Sequence, residues 1–206
     1  MKSVQEIAAG ILGRSPERQT TGPQSLKPDV VEWYRQFLGF DTCGDSALED
    51  ALVATAAFII SMVHHDHRAR YWLTLAGPCG VGKTHLAKAV AKTHQSVSHK
   101  PSKYIRWIDA LNYMRDGHHG YASELAREHL LVIDDIGAEH GSEYGIGKLL
   151  EILDKRMGKW TFITSNLTME RFAELDNRIA SRLIRNHNRV LSIVTTDYAL
   201  RDDKSD

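Results

Sequence analysis

Apolar and polar residues fall in blocks along this chain, and the blocks alternate between strand-like and helix-like spacing. Tyr71 to Ala76 is a short apolar run rich in aromatic and branched residues, which predicts a buried strand. Thr84 to Thr93 then carries Leu86, Ala87 and Val90 on one helical face. After a polar stretch, Gln95 to Lys103, the residues Tyr104 to Ile108 predict a second strand and Asp109 to Met114 a short helix. Asp116 to Gly120 reads as a loop, and Ser123 to Glu128 as a helical turn or two. Leu130 to Ile133 is an unbroken apolar run, as expected of a strand buried on both faces. Trp160 to Ser165 and Arg189 to Val194 are the last two strands. Strands separated by helical segments predict an α/β fold: a parallel sheet with helices on both faces, three layers in all.

The first 40 residues follow a different pattern. Val4 to Leu12 predicts a short helix, and Arg14 to Pro28 a linker broken by Pro16, Gly22, Pro23 and Pro28. Asp29 to Leu38 predicts a helix whose stripe is Val30, Trp33, Tyr34, Phe37 and Leu38. That stripe either packs on the main domain or docks a partner protein, since aromatics at helical spacing suit a groove. The chain therefore divides into an N-terminal extension, residues 1–40, with a candidate docking helix at 29–38, and a core at 41–206. Gly39 to Asp45 is a turn, and Ser46 with Glu49 forms a capping-box pattern opening a helix to Val63. Its apolar part, Ala51 to Val63, is too short for a bilayer and predicts a core helix.

Composition narrows the function. Lys plus Arg and Asp plus Glu are both 26, so a uniformly basic coat for nucleic acid is excluded and any such contact needs a local patch. Cys43 and Cys79 have no metal-ligand spacing and read as plain thiols. His64, His65 and His67, and the pair His118-His119, lack cysteine or carboxylate partners at ligand spacing and read as solvated. Met1 to Gly13 has no apolar secretory core. A cytoplasmic protein without membrane contact is expected, bacterial, or in the host cytoplasm if phage-encoded.

Chemistry concentrates in Gly77-Pro78-Cys79-Gly80-Val81-Gly82-Lys83-Thr84, which fits G-x-x-x-x-G-K-[ST] between a predicted strand and helix. Glycines let the backbone curl so that successive N–H groups point inward, and the helix start adds unpaired N–H groups and its dipole. In this pattern Lys83 reaches the β/γ-phosphates of ATP and the Thr84 hydroxyl ligates Mg²⁺. Asp134-Asp135 follows the apolar run at the carboxyl end of its strand, where open α/β sheets bind ligands. It resembles the Walker B element: Asp134 holds Mg²⁺ with Thr84, and Asp135 orients or deprotonates the attacking water. Asn166 ends the Trp160 strand, either as a plain turn residue or as an amide holding that water. Arg178, Arg182 and Arg185 share one helical face opposite Ile179 and Leu183. Such a line is either solvated or supplies an arginine finger to a neighbouring subunit.

The ordered set resembles the DnaC/DnaI-type helicase loaders, in the initiator branch of the AAA+ ATPases. The likeness runs from about Gly39 to Arg201. It is carried by the phosphate loop with His85-Leu86-Ala87, then Ile133-Asp134-Asp135-Ile136-Gly137-Ala138-Glu139, then Ile163-Thr164-Ser165-Asn166-Leu167, then Arg178-Ile179-Ala180-Ser181-Arg182-Leu183. The resemblance implies a P-loop NTPase (AAA+) fold with a five-stranded parallel sheet, the Asn166 strand lying between the strands of Lys83 and Asp134. It adds His85 to the nucleotide-binding set, makes Asn166 sensor 1 and Arg182 the leading finger, with Arg178 second, and implies self-association through the ATP site. It implies an ATPase that places a hexameric replicative helicase on single-stranded DNA. Lys100, Lys103 and Arg106, or the Arg178–Arg189 segment, are candidates for the DNA contact. Asp135 stands where most AAA+ proteins carry Glu, which predicts slow hydrolysis, with Glu139 as a candidate helper. The N-terminal piece is shorter than the family's helicase-binding domain, and only 24 residues follow Arg182, so no lid domain is expected. An IstB-type transposition helper shares the same core, and a monomeric P-loop kinase is the reading from a different class.

Overall fold

The computed structural model describes residues 28–64, 71–137 and 142–195, without the side chains of 28–31, 33 and 187. Val4–Leu12, most of the linker, His65, His67 and Glu139 lie outside the described residues. Two helices come first, α1 (Pro28–Leu38) and α2 (Ser46–Val63). Strand β1 (Trp72–Ala76) leads into α3 (Lys83–Val97), and β2 (Ser102–Arg106) into α4 (Trp107–Arg115) and α5 (Tyr121–Arg127). Then come β3 (Leu130–Ile136), α6 (Glu143–Lys155), β4 (Trp160–Ser165), α7 (Met169–Leu175), α8 (Asn177–Ile184) and β5 (Arg189–Ser192). All pairings are parallel, in the order β2-β3-β4-β1-β5. The Asn166 strand thus lies between those that carry the phosphate loop and the acidic pair, as the resemblance implied.

Period-two alternation sorts the side chains into two cores. On one face Leu130 and Val132 of β3 and Phe162 of β4 pack under α2 and α3. The Phe58 ring meets Trp160 and Phe162 edge-on at 5.5 and 5.6 Å. On the other face Leu131, Ile133 and Ile163 pack under α4, α5, α6 and α8. Full burial of one such side chain contributes roughly 1.5–3 kcal/mol. By length and composition α2 could cross a membrane, but half of its residues are buried within the domain. It therefore serves as the core helix its apolar run predicts. In α1, Tyr34 and Leu38 are buried in the first core, whereas Phe37 is exposed.

Three local expectations shift. The capping box at Ser46 does not form: the cap is Asp45, whose carboxylate accepts from the N–H groups of Ala47 and Leu48. Glu49 instead accepts from Arg35 Nη2 at 2.6 Å, tying α2 to α1. Strand β2 ends at Arg106, and Trp107 and Ile108 already belong to α4. Trp107, Ala110, Leu111 and Met114, all buried, keep helical spacing from the strand's end, so no turn marks the boundary. Arg185 follows the end of α8 and sits in a single 3-10 turn.

One buried cation holds the far end of the sheet. The Arg156 guanidinium has no exposed surface, and burial lowers its pKa to about 10. It donates to Thr161 Oγ1 at 2.9 Å, to the carbonyls of Leu125 and Glu128 at 3.2 and 2.8 Å, and to that of Trp160. Arg156→Ala strands these acceptors together. Several unsatisfied buried groups, at roughly 1–3 kcal/mol each, make a loss of about 3–5 kcal/mol the expected result. A thermal melt should fall by about 10 °C; a shift of 1–2 °C would contradict this role.

Candidate functional site

The loop after β1 closes on itself through Lys83. Its Nζ donates to the carbonyls of Gly77 and Pro78 at 2.8 and 2.5 Å, and the side chain is buried. Burial pushes the ammonium's pKa down, opposed by the charges of Cys79, Asp135 and Asp134. Val81 is buried, while Pro78, Cys79 and Gly80 face solvent. Gly82 caps α3 in the left-handed region at φ 86°, which other residues adopt at a cost. A Cβ there would also meet the Phe40 ring at 2.5 Å. The first turn of α3 holds no acidic residue, so its N–H groups and dipole face the loop uncompensated.

Asp134 sits beside this loop at 1% exposure. Its Oδ1 accepts from Thr84 Oγ1 at 3.1 Å and from Thr164 Oγ1 at 2.5 Å, and its Oδ2 from the Tyr104 hydroxyl at 2.6 Å. Burial, then the bond to Asp134, pushes the Tyr104 pKa far up, so the phenol stays a donor. Asp134 shares a face with Leu130 and Val132, and a regular strand would turn Asp135 to the opposite one. Between Ile133 and Ile136, however, β3 has one residue more than β4, whose partners there are Ile163 and Ser165. The bulge puts Asp135 at φ 65°, a conformation Asp tolerates better than most residues. Its N–H donates to Thr164 Oγ1 at 2.9 Å, and its carboxylate lies 4.0 Å from Arg106, both side chains half-exposed. Thr164 therefore holds both acids.

Asn166 is half-buried where three segments converge. Its N–H donates to the Ile136 carbonyl at 3.3 Å, and the Ser165 carbonyl accepts from the Gly77 N–H at 3.1 Å. His85 lies one residue past Thr84, and its Nε2 is 2.6 Å from the Leu38 carbonyl. The structure thus gathers Gly77–His85, Asp134, Asp135 and Asn166 at the carboxyl end of the sheet. The arginines are elsewhere. Arg182 makes a two-pronged ion pair with Asp154 of α6, and Arg178 one with Asp176. Neither bonds to the loop or to the acidic pair.

Three participants were not legible. Thr164 is one of three hydroxyl residues on its strand, with Thr161 and Ser165, and nothing local singles it out. Tyr104 was placed at the start of its strand, which hides its register against β3. Phe40 gave no local signal. Among the described residues no three His, Cys, Asp or Glu side chains group as a metal centre. The pair Thr84 and Asp134 still offers two oxygens in contact, a donor set that suits a hard divalent cation completed by phosphate and water. The arrangement can hold a polyphosphate over the loop and a cation at its edge.

Fold and site together define an α/β protein with a phosphate-binding loop at the carboxyl end of a five-stranded parallel sheet. The chain belongs to the IstB-like ATP binding protein family, whose model matches residues 60–205. Its solved neighbours share the fold. The DnaC helicase loader superposes with TM-score 0.60 at 24% identity, over 79% of this chain and 99% of that one. DnaI gives 0.60 at 23%, over 84% and 94%. The replication initiator DnaA bound to AMPPCP and single-stranded DNA gives 0.55 at 18%, over 66% of this chain and 46% of that one. Two further replication-initiation structures are covered over 45% and 44% of their lengths, so this chain spans less than half of each. No curated protein matches it.

Proposed function

We propose that this chain is an ATP-dependent loader of a replicative DNA helicase, acting in the cytoplasm on single-stranded DNA. The observation that carries the ATP part is the 3.1 Å contact between Thr84 and Asp134, which joins the phosphate loop to the acidic strand end. The likeness in fold to DnaC and DnaI over nearly their full lengths supports the loader part.

In this reading the loop N–H groups and Lys83 hold the β- and γ-phosphates. Thr84 and Asp134 hold Mg²⁺, which neutralises charge on the phosphates when bound. Asp135, swung out by the bulge, and Asn166 orient the attacking water. Asp135 reaches less far than a Glu by one methylene, so turnover is slow without a partner. Arg182 of an adjoining copy completes the pocket, and Arg178 stands next to it. Releasing it costs little: Asp154 is 54% exposed, and such pairs are worth about 0–1 kcal/mol. The helical segment 29–38 lies beside this core, with residues 1–40 as the extension that meets the helicase.

For single-stranded DNA the surface of α4, α5 and α6 offers stacking groups among cations. Tyr113 is 44% exposed and stacks on His118 at 3.7 Å, while Lys103 lies over the Tyr121 ring and Arg115 over Tyr144. Exposed rings with adjacent cations suit unpaired bases. This adds an aromatic component to the Lys100, Lys103 and Arg106 patch.

The test is co-elution of the chain with a hexameric replicative helicase and a labelled single-stranded oligonucleotide. A joint peak that needs ATP is expected; no joint peak with or without ATP would overturn the loader reading. The family's name favours a second reading, an IstB-type transposition helper. ATP-dependent filaments on duplex DNA, without helicase binding, would select it.

A further inference from the structure

We propose that Tyr104 is a positioning residue for Asp134, fixing the carboxylate that receives the metal; this rests on the magnesium–nucleotide reading above. Asp134 is a buried anion held by three hydroxyls, and they are divided unevenly. Thr84 and Thr164 both donate to Oδ1, and Tyr104 is the one donor to Oδ2 among the described residues. Hydroxyls on both oxygens lock the carboxylate plane. Oδ1 is thereby kept beside Thr84, and rotation about the last side-chain torsion, otherwise broad, is blocked.

The register explains why a tyrosine is needed. Tyr104 pairs with Val132, and Arg106 with Asp134, so Tyr104 starts two residues short of the carboxylate. At a strand rise of about 3.3 Å per residue the gap along the strand is roughly 6.6 Å. A phenol leaning along the strand spans that distance, and a serine or threonine hydroxyl does not. Strand β2 is an edge strand, and this ring is its link to Asp134, as Arg106 is to Asp135. The Tyr104 hydroxyl donates to Asp134 and not to the loop or Thr84, so it acts through Asp134.

Outer partners of metal ligands typically contribute 10- to 100-fold in metal affinity. The experiment measures the affinity of a fluorescent ATP analogue against Mg²⁺ concentration, and again in EDTA, for the wild type and Tyr104→Phe. The Mg²⁺ midpoint of Tyr104→Phe should rise about tenfold or more. Its affinity in EDTA should match the wild type, and its melting temperature should fall by only a few degrees for the one buried bond lost. In an Asp134→Asn background the same change should add nothing, because the coupled partner is gone. An unchanged midpoint in a magnesium-dependent wild type overturns the Tyr104 assignment alone. So does an equal loss in EDTA, or a full effect in the Asp134→Asn background. A wild type indifferent to magnesium overturns both this assignment and the reading of the site.

Discussion

Replacing Lys83 by alanine should weaken ATP binding about 100- to 1,000-fold while leaving the fold intact. The ammonium is the one cation inside the loop and is buried there. It now bonds two carbonyls, those of Gly77 and Pro78, and a phosphate would take it over as a stronger, charged acceptor. Each charge-assisted bond contributes roughly 1.5–3 kcal/mol, and two at the lower end of that range give about 3–4 kcal/mol, or two to three powers of ten. The two carbonyls can turn to water, so the melting temperature should change by only a few degrees. Titration with a fluorescent ATP analogue reads the affinity. A variant that binds like the wild type would remove the loop from the nucleotide site.

Arg182→Ala should leave ATP binding near wild type and lower turnover by about 10³, the usual scale for a finger residue. The separation follows from the geometry. Arg182 bonds Asp154 and the Arg178 carbonyl and not the loop of its own chain. A guanidinium from an adjoining copy would act on charge that develops during hydrolysis, not on binding. Mixing Arg182→Ala with Lys83→Ala should restore part of the activity, since the first chain keeps an intact loop and the second an intact arginine. Turnover that stays lost in the mixture, or that falls together with affinity, would place the residue's effect within its own subunit.

The architecture was readable because its signals are local. The apolar run Leu130–Ile133 and the aromatic and branched residues of Trp160–Ser165 each specify a strand, and the glycine loop ties one strand to one helix. The parallel order came through the family resemblance, since no residue in β2 says which strand it pairs with. What stayed hidden depends on pairings far apart in sequence. Tyr104 meets Asp134 across 30 positions, and Arg156 meets Leu125 across 31. The Asp135 bulge is visible only as a mismatch between two strands. The misplaced cap is different: Asp45 and Ser46 are both good caps, and only the geometry decides between them. The end of β2 was missed because Trp107 is as apolar as a strand residue and begins a helix without a turn.

One nucleotide should bind at the junction of the Gly77–Thr84 loop and Asp134. Calorimetric titration of the chain with ATP reads this directly, with magnesium and with EDTA. One site per chain is predicted, tighter with magnesium, and with that gain lost in Asp134→Asn. No heat with magnesium and ATP, or a magnesium effect that survives Asp134→Asn, would contradict it.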